Sequence, residues 1–244
     1  MNPPSQYINL ESVGGAWPEG LLVLMYHAID APPLFHGLRG LYVTPRLLTQ
    51  QLRELQAAPG ASFTTLSEWN RQRPAARRVA LTFDDAHRNL FRNGLPVLRQ
   101  LGVPAITYVV GSLIGKSNEW DDGKGARREP LMDRVQLREW IEAGLEIGSH
   151  GLTHRDLTTL SPDEARREIV DSKKLLEDLF GHPIRHFCYP YGAQNDAIRA
   201  IAQEAGYETA TSTLGGINTS ATDPFTLRRL LARHQRPYLA ALWR

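Results

Sequence analysis

Short β-type runs alternate with helical patterns along nearly the whole chain, and no other feature narrows the possible folds as much. The runs are Leu21 to His27, Arg78 to Phe83, Ala105 to Val110, Leu145 to Ser149, His186 to Tyr189, Tyr207 to Thr211 and Thr226 to Ala232. Amphipathic segments lie between them. Leu47, Leu48, Leu52 and Leu55 repeat at helical spacing over Pro45 to Ala58, behind a cap at Thr44. Pro45 fits that start, because the first helical N–H has no partner to lose. Pro162 to Phe180 reads as the clearest helix: Ser161 and Glu164 form a capping box, Ala165, Ile169, Leu176 and Leu179 share an apolar face, and Gly181 ends it. Its Arg166, Arg167, Lys173 and Lys174 read as a solvated face. Such alternation predicts βα units around a parallel sheet. About seven strands of this kind close into a distorted (β/α)7-type barrel. We expect this α/β fold as a single domain over 21–244, behind an N-terminal extension of 1–20.

The 244 residues, 42% of them hydrophobic, supply a core for one such domain. A net charge of +2, with 28 basic against 26 acidic residues and no long run of either sign, gives no electrostatic footprint for nucleic acid. The opening residues lack a basic n-region and an apolar h-region, and the longest early apolar stretch runs only from Leu21 to Tyr26. The expectation is therefore no transmembrane segment and a cytoplasmic location. Cys188 is the single cysteine and is flanked by Phe187 and Tyr189, which points to a buried thiol and excludes both an internal disulfide and a cysteine-based zinc site.

In barrels of this type the active site gathers at the C-terminal ends of the strands. His27 ends the first run, Asp84-Asp85 the second and His150-Gly-Leu-Thr-His154 the fourth, while Tyr191 follows the fifth. The histidine pair alone is weak evidence, because eight histidines in 244 residues give about 0.3 accidental pairs of that spacing. Adjacent aspartates also commonly cap helices. Their weight comes from all following strands, with Gly148 and Gly151 allowing a tight path around His150. Carboxylate and imidazole ligands with an open position suit a catalytic divalent metal, zinc first, and one carboxylate is left free. Gly111 to Pro130, containing Trp120-Asp121-Asp122-Gly123, reads as a long surface loop bordering the cleft.

Thr82-Phe-Asp-Asp85, Ser149-His150 with His154, and Tyr189-Pro-Tyr-Gly192 resemble the motifs of the polysaccharide deacetylases, the NodB-homology or carbohydrate esterase family 4 group. The resemblance runs from Met25-Tyr-His27 to Phe225-Thr-Leu-Arg-Arg229 and favours the Tyr-His branch that includes poly-N-acetylglucosamine deacetylases. It implies hydrolysis of the acetamide of an N-acetylated carbohydrate or sugar precursor, with a divalent metal as cofactor. It also implies Asp84 as general base, Asp85, His150 and His154 as metal ligands, and the Tyr191 N–H as oxyanion donor held by Pro190 and Gly192. His27 is the implied general acid, with His234 as its substitute.

The chain departs from the wider family at Phe187 and Cys188, where many members have an arginine, at Ala86, usually glycine, and at His87, often aromatic. Arg229 matches a basic position of the related branch and is expected either to orient Asp84 or to form a salt bridge elsewhere. His87 is expected near the cleft but off the metal, and with Pro190, Gly192 and Arg229 it completes the expected substrate-binding set. His36, His182 and His186 are assigned to loops or strand edges. Two other functions fit the same residues: a metal-bearing carbohydrate-binding protein without catalysis, and another amide hydrolase such as a deformylase or cyclic-amide hydrolase.

Overall fold

The computed structural model describes residues 18–33, 38–124 and 126–232. Seven parallel strands form its centre: Gly20–Tyr26 (β1), Arg77–Phe83 (β2), Ile106–Val109 (β3), Glu146–Ser149 (β4), His186–Cys188 (β5), Thr209–Thr211 (β6) and Leu230–Leu231 (β7). Their order in the sheet is β7-β1-β2-β3-β4-β5-β6, so each strand lies beside its predecessor and the last returns to the first. A parallel bridge between Thr211 and Leu227 carries the final segment across to β6, and the sheet curls toward closure. Ala61–Phe63 pairs with the first half of β2, whereas β3 pairs only with its end, at Thr82 and Phe83. That split edge distorts the barrel. All seven runs read from the sequence become strands of one sheet. The expected extension of 1–20 lies almost wholly outside the described residues.

Among the described residues six α-helices connect the strands: Pro45–Ala57 (α1), Leu66–Gln72 (α2), Leu95–Leu101 (α3), Arg134–Glu142 (α4), Pro162–Phe180 (α5) and Asp196–Glu204 (α6). Thr44 Oγ1 accepts from the Leu47 N–H at 3.2 Å to cap α1. At α5, Ser161 and Glu164 form the reciprocal box and Gly181 turns left-handed (φ 74°) to stop the helix. Losing such an N-cap costs about 1 kcal/mol. Lys173 differs from the expected solvated face: its Nζ donates to Glu177 Oε1 at 2.7 Å and to the Ile184 carbonyl at 2.5 Å, pinning α5 to the loop before β5. Among the described residues no helix is long and apolar enough to cross a membrane.

Strand alternation decides which residues enter the barrel. Leu22, Leu24, Val79, Leu81, Phe83 and Phe187 join the core packed between sheet and helices. Their neighbours Leu21, Val23, Ala80, Ile106, Tyr108, Cys188 and Leu227 form a second core with Leu66 and Trp69 of α2. The same parity continues this inner row to His27, Asp84 and His150 just past the strand ends, to Thr82 within β2 and to Arg229 just before β7. Gly148 belongs to it too, because a Cβ there would lie 2.6 Å from Tyr108 Cδ1. At the opposite end, His186 sits between Ser67 Oγ (2.7 Å) and Thr209 Oγ1 (2.8 Å). Burial lowers its pKa to about 3, so it is a neutral plug at the start of its strand.

Candidate active site

Tight turns at the strand ends bring the predicted residues together. Five non-glycine residues among those described have positive φ, and four of them lie here: Asp85 (70°), Ala86 (52°), His154 (63°) and Tyr191 (59°). Left-handed backbone is costly for residues with a Cβ, and it persists only where surrounding bonds impose it. Ala86 shows why glycine is usual at its position.

Asp85, His150 and His154 are all buried and offer ligand atoms within 4.8 Å of one another. Asp85 Oδ1 stands 3.5 Å from His150 Nε2 and 3.4 Å from His154 Nε2. Those separations exceed an ordinary N–H···O bond of about 2.7–3.2 Å. Oδ1 accordingly has no hydrogen-bond partner although it is buried. His150 Nδ1 is 2.8 Å from the Cys188 carbonyl and must donate to it, so in neutral His150 Nε2 is a lone pair facing the carboxylate. Two acceptors pointed at each other suit a cation held between them. Ligand bonds of about 2.0–2.2 Å at a tetrahedral angle place donor atoms about 3.3–3.6 Å apart, which matches both spacings. The residues present therefore fit a divalent metal.

Burial by itself would raise the Asp85 pKa, but the neighbouring His154 and His87 imidazoles outweigh it and hold the carboxyl well below the usual range. His154 is shifted down by burial, partly opposed by Asp85. His87 Nε2 lies 3.2 Å from the other oxygen, Asp85 Oδ2, and the ring is 6% exposed. It lies outside the group formed by Asp85, His150 and His154. It is not placed for substrate binding, however, because its reachable nitrogen is engaged by the carboxylate.

Asp84 is held by Arg229, whose Nη1 and Nη2 donate to Oδ1 at 2.6 Å and Oδ2 at 2.9 Å. The guanidinium also donates to the Ser212 carbonyl (2.8 Å), Thr82 Oγ1 (3.1 Å) and Cys188 Sγ (3.1 Å). It is 1% exposed and lies over the Tyr108 ring at 5.8 Å. Arg229 thus takes the orienting role, and the substrate-contact assignment is corrected: every face of this side chain is committed inside the barrel. Burial pushes the Asp84 pKa up, but Arg229, His27 and His150 bring the net shift below the ordinary value. His27 Nε2 is 3.8 Å from Asp84 Oδ2, and its side chain is 14% exposed, so it is reachable from the cleft. Burial lowers the His27 pKa against the pull of Asp84 and Asp85. His234 and His36 lie outside the described residues.

Cys188 is fully buried, as read from the sequence, and burial raises its pKa, so it stays a thiol. Its place beneath Asp84, 3.8 Å from Oδ2, was not legible there. Pro190 is buried, and a Cβ on Gly192 would meet Thr213 Oγ1 at 2.1 Å. These two shape the Tyr191 turn, and the buried Pro190 is withdrawn from the substrate-binding set. Tyr191 is 47% exposed at the mouth, and its ring meets His154 edge-on at 4.7 Å.

Sequence reasoning missed two supports. Glu168 of α5 accepts from the Leu152 and Thr153 N–H groups (2.9 and 2.8 Å) and from Thr153 Oγ1 (2.5 Å), fixing the turn that presents His154. Trp120 stacks on His154 with centroids 4.3 Å apart and an interplanar angle of 17°. The Trp120 loop was expected at the cleft, but neither residue carries a sequence signal for its partner.

The described residues thus form a curled parallel α/β barrel with a buried carboxylate–imidazole cluster and a second, arginine-held carboxylate at its mouth. The polysaccharide deacetylase family profile matches residues 71–210. The chain is a member of that family. The deacetylase PplD of Streptococcus pyogenes, solved in complex with acetate, is 26% identical and superposes with a TM-score of 0.79 over 93% of this chain and 100% of its own. The poly-beta-1,6-N-acetyl-D-glucosamine N-deacetylase of Staphylococcus epidermidis is 26% identical over 236 residues, covering 86% of this chain and 78% of that protein. IcaB from Ammonifex degensii shares the fold at a TM-score of 0.78 and 23% identity, covering 93% of this chain and 98% of that one.

Proposed function

We propose that the protein is a zinc-dependent de-N-acetylase that hydrolyses the acetamide of an N-acetylated sugar to the free amine and acetate. The observation behind this reading is the spacing of Asp85 Oδ1 from His150 and His154, which suits a shared ion, beside the independently held Asp84. Asp85, His150 and His154 would hold the ion, which when bound lowers the pKa of water from about 15.7 toward about 7 and polarises the acetamide carbonyl. Asp84 accepts the proton of the attacking water. Arg229 occupies one edge of the carboxylate and leaves lone pairs on Oδ2 for that transfer. Its charge keeps Asp84 ionised, and a weak base suffices once the water is acidified. The Tyr191 backbone N–H, set by the left-handed turn between Pro190 and Gly192, faces the developing oxyanion. His27 delivers a proton to the departing amine. Relatives that act on poly-N-acetylglucosamine support an N-acetylglucosamine-containing substrate.

The test measures acetate and free amine released from N-acetylglucosamine oligomers by metal-reconstituted protein. Asp85→Ala is expected to lose the stoichiometric ion. Asp84→Asn is expected to keep the ion while turnover falls about 100-fold or more. Full activity in both variants, or formate or a ring-opened product in place of acetate, refutes the reading.

A further inference from the structure

The two imidazoles of the proposed metal site are supported differently. His150 is fixed through Nδ1 by the Cys188 carbonyl at 2.8 Å. His154 has a buried Nδ1 with no hydrogen-bond partner. Metal-binding histidines ordinarily gain their ring orientation from such a bond, and losing it costs about 10–100-fold in metal affinity. What surrounds the His154 ring instead is aromatic: Trp120 lies flat against one face at 4.3 Å, while Tyr191 and His150 meet it edge-on at 4.7 and 4.8 Å.

The surrounding loop is built to keep these contacts. Asn118, 4% exposed, donates through Nδ2 to Asp121 Oδ2 (3.0 Å) and the Arg127 carbonyl (3.3 Å), and its Oδ1 accepts from the Glu129 N–H (2.6 Å). The short turn Glu119–Asp121, which carries Trp120, is locked from within. Farther along the same loop, Lys124 Nζ donates to the Tyr191 hydroxyl at 3.2 Å and lies 4.9 Å from that ring's centroid. One segment thus supports both aromatic side chains that flank His154.

We infer that Trp120 is a positioning residue for the metal site, orienting the His154 imidazole by ring stacking in place of the hydrogen bond that orients His150. The inference rests on the proposed metal site. Stacking constrains the tilt of the ring, and the edge-on Tyr191 and His150 rings bracket it, so Nε2 stays aimed at Asp85 Oδ1. The distance of Trp120 from the strand-end motifs explains why no motif announces it.

Metal-free protein is titrated with Zn2+ in competition with a chromogenic chelator, and the Co2+ absorption spectrum is recorded as a second readout. Trp120→Leu, which keeps apolar bulk but not the ring, is expected to weaken Zn2+ binding about tenfold or more and to alter the Co2+ bands, while Trp120→Phe stays within about threefold of the parent protein. Val135→Ala, at a site 66% exposed, serves as a surface control. Circular dichroism checks that each variant is folded, and Trp120→Phe keeps the test meaningful should Trp120→Leu fail to fold. Equal Zn2+ affinity and unchanged Co2+ bands in Trp120→Leu and Trp120→Phe overturn the inference. A parent protein that takes up no stoichiometric ion overturns the proposed metal site itself, so the two failures are told apart.

Discussion

Replacing Arg229 with methionine keeps much of the side-chain volume but removes the fork that holds Asp84. The guanidinium donates to both Asp84 oxygens, the Ser212 carbonyl, Thr82 Oγ1 and Cys188 Sγ, so the change leaves a carboxylate buried and unpaired. Breaking a buried ion pair from one side costs about 3–5 kcal/mol. For a domain of this size about 2–4 °C of melting temperature accompanies each kcal/mol, giving an expected drop of about 6–20 °C. The pH dependence has a definite sign. In the parent the Asp84 pKa is depressed, so its stabilisation is present above the unfolded carboxylate pKa and is lost as pH falls through the folded value. In Arg229→Met the largest opposing influence on Asp84 is removed while its burial remains, so its pKa rises relative to the parent and acidification relieves the penalty. The gap between parent and variant is therefore expected to narrow from about pH 8 to about pH 4. Thermal melts followed by circular dichroism in the presence of a chelator measure it without interference from bound metal. The double variant Arg229→Met/Asp84→Asn is expected to recover much of the loss, since no buried charge remains. A loss below about 1 kcal/mol, or a gap independent of pH, refutes the argument that Arg229 and Asp84 form one electrostatic unit.

Two further outcomes follow from the supports around the site. Glu168→Ala removes the acceptor for three donors of the 151–154 turn and is expected to cost about 1–3 kcal/mol, with weaker Zn2+ binding measured by chelator competition. Parent-like binding and stability would mean the turn holds itself. Cys188, fully buried with its pKa raised by burial, is expected to resist a thiol-specific disulfide reagent in the native protein and to react once the chain is unfolded by denaturant. Rapid native labelling would contradict its place beneath Asp84.

The strands were legible in the sequence because each is a local apolar run, and α1 and α5 because their caps and apolar stripes are local as well. Asp84, Asp85, His150 and His154 were legible for a related reason: they directly follow strands, and parallel strands share one C-terminal edge. Parity within each run even fixes which side chains enter the barrel. What the sequence left open is everything that depends on contact between distant segments. It offered two roles for Arg229, and only the return of β7 beside β1 places that guanidinium against Asp84, 145 positions away. His87 and Pro190 were assigned to substrate because they neighbour the motifs, but neighbourhood along a chain does not say which way a side chain faces after a left-handed turn. Glu168 and Trp120 lie on a helix and a loop with ordinary local patterns, and their meaning comes solely from what packs on them. Local periodicity is written into adjacent residues and can be read one segment at a time, whereas a hydrogen bond or ring contact between segments exists only once the barrel has curled and brought its edges together.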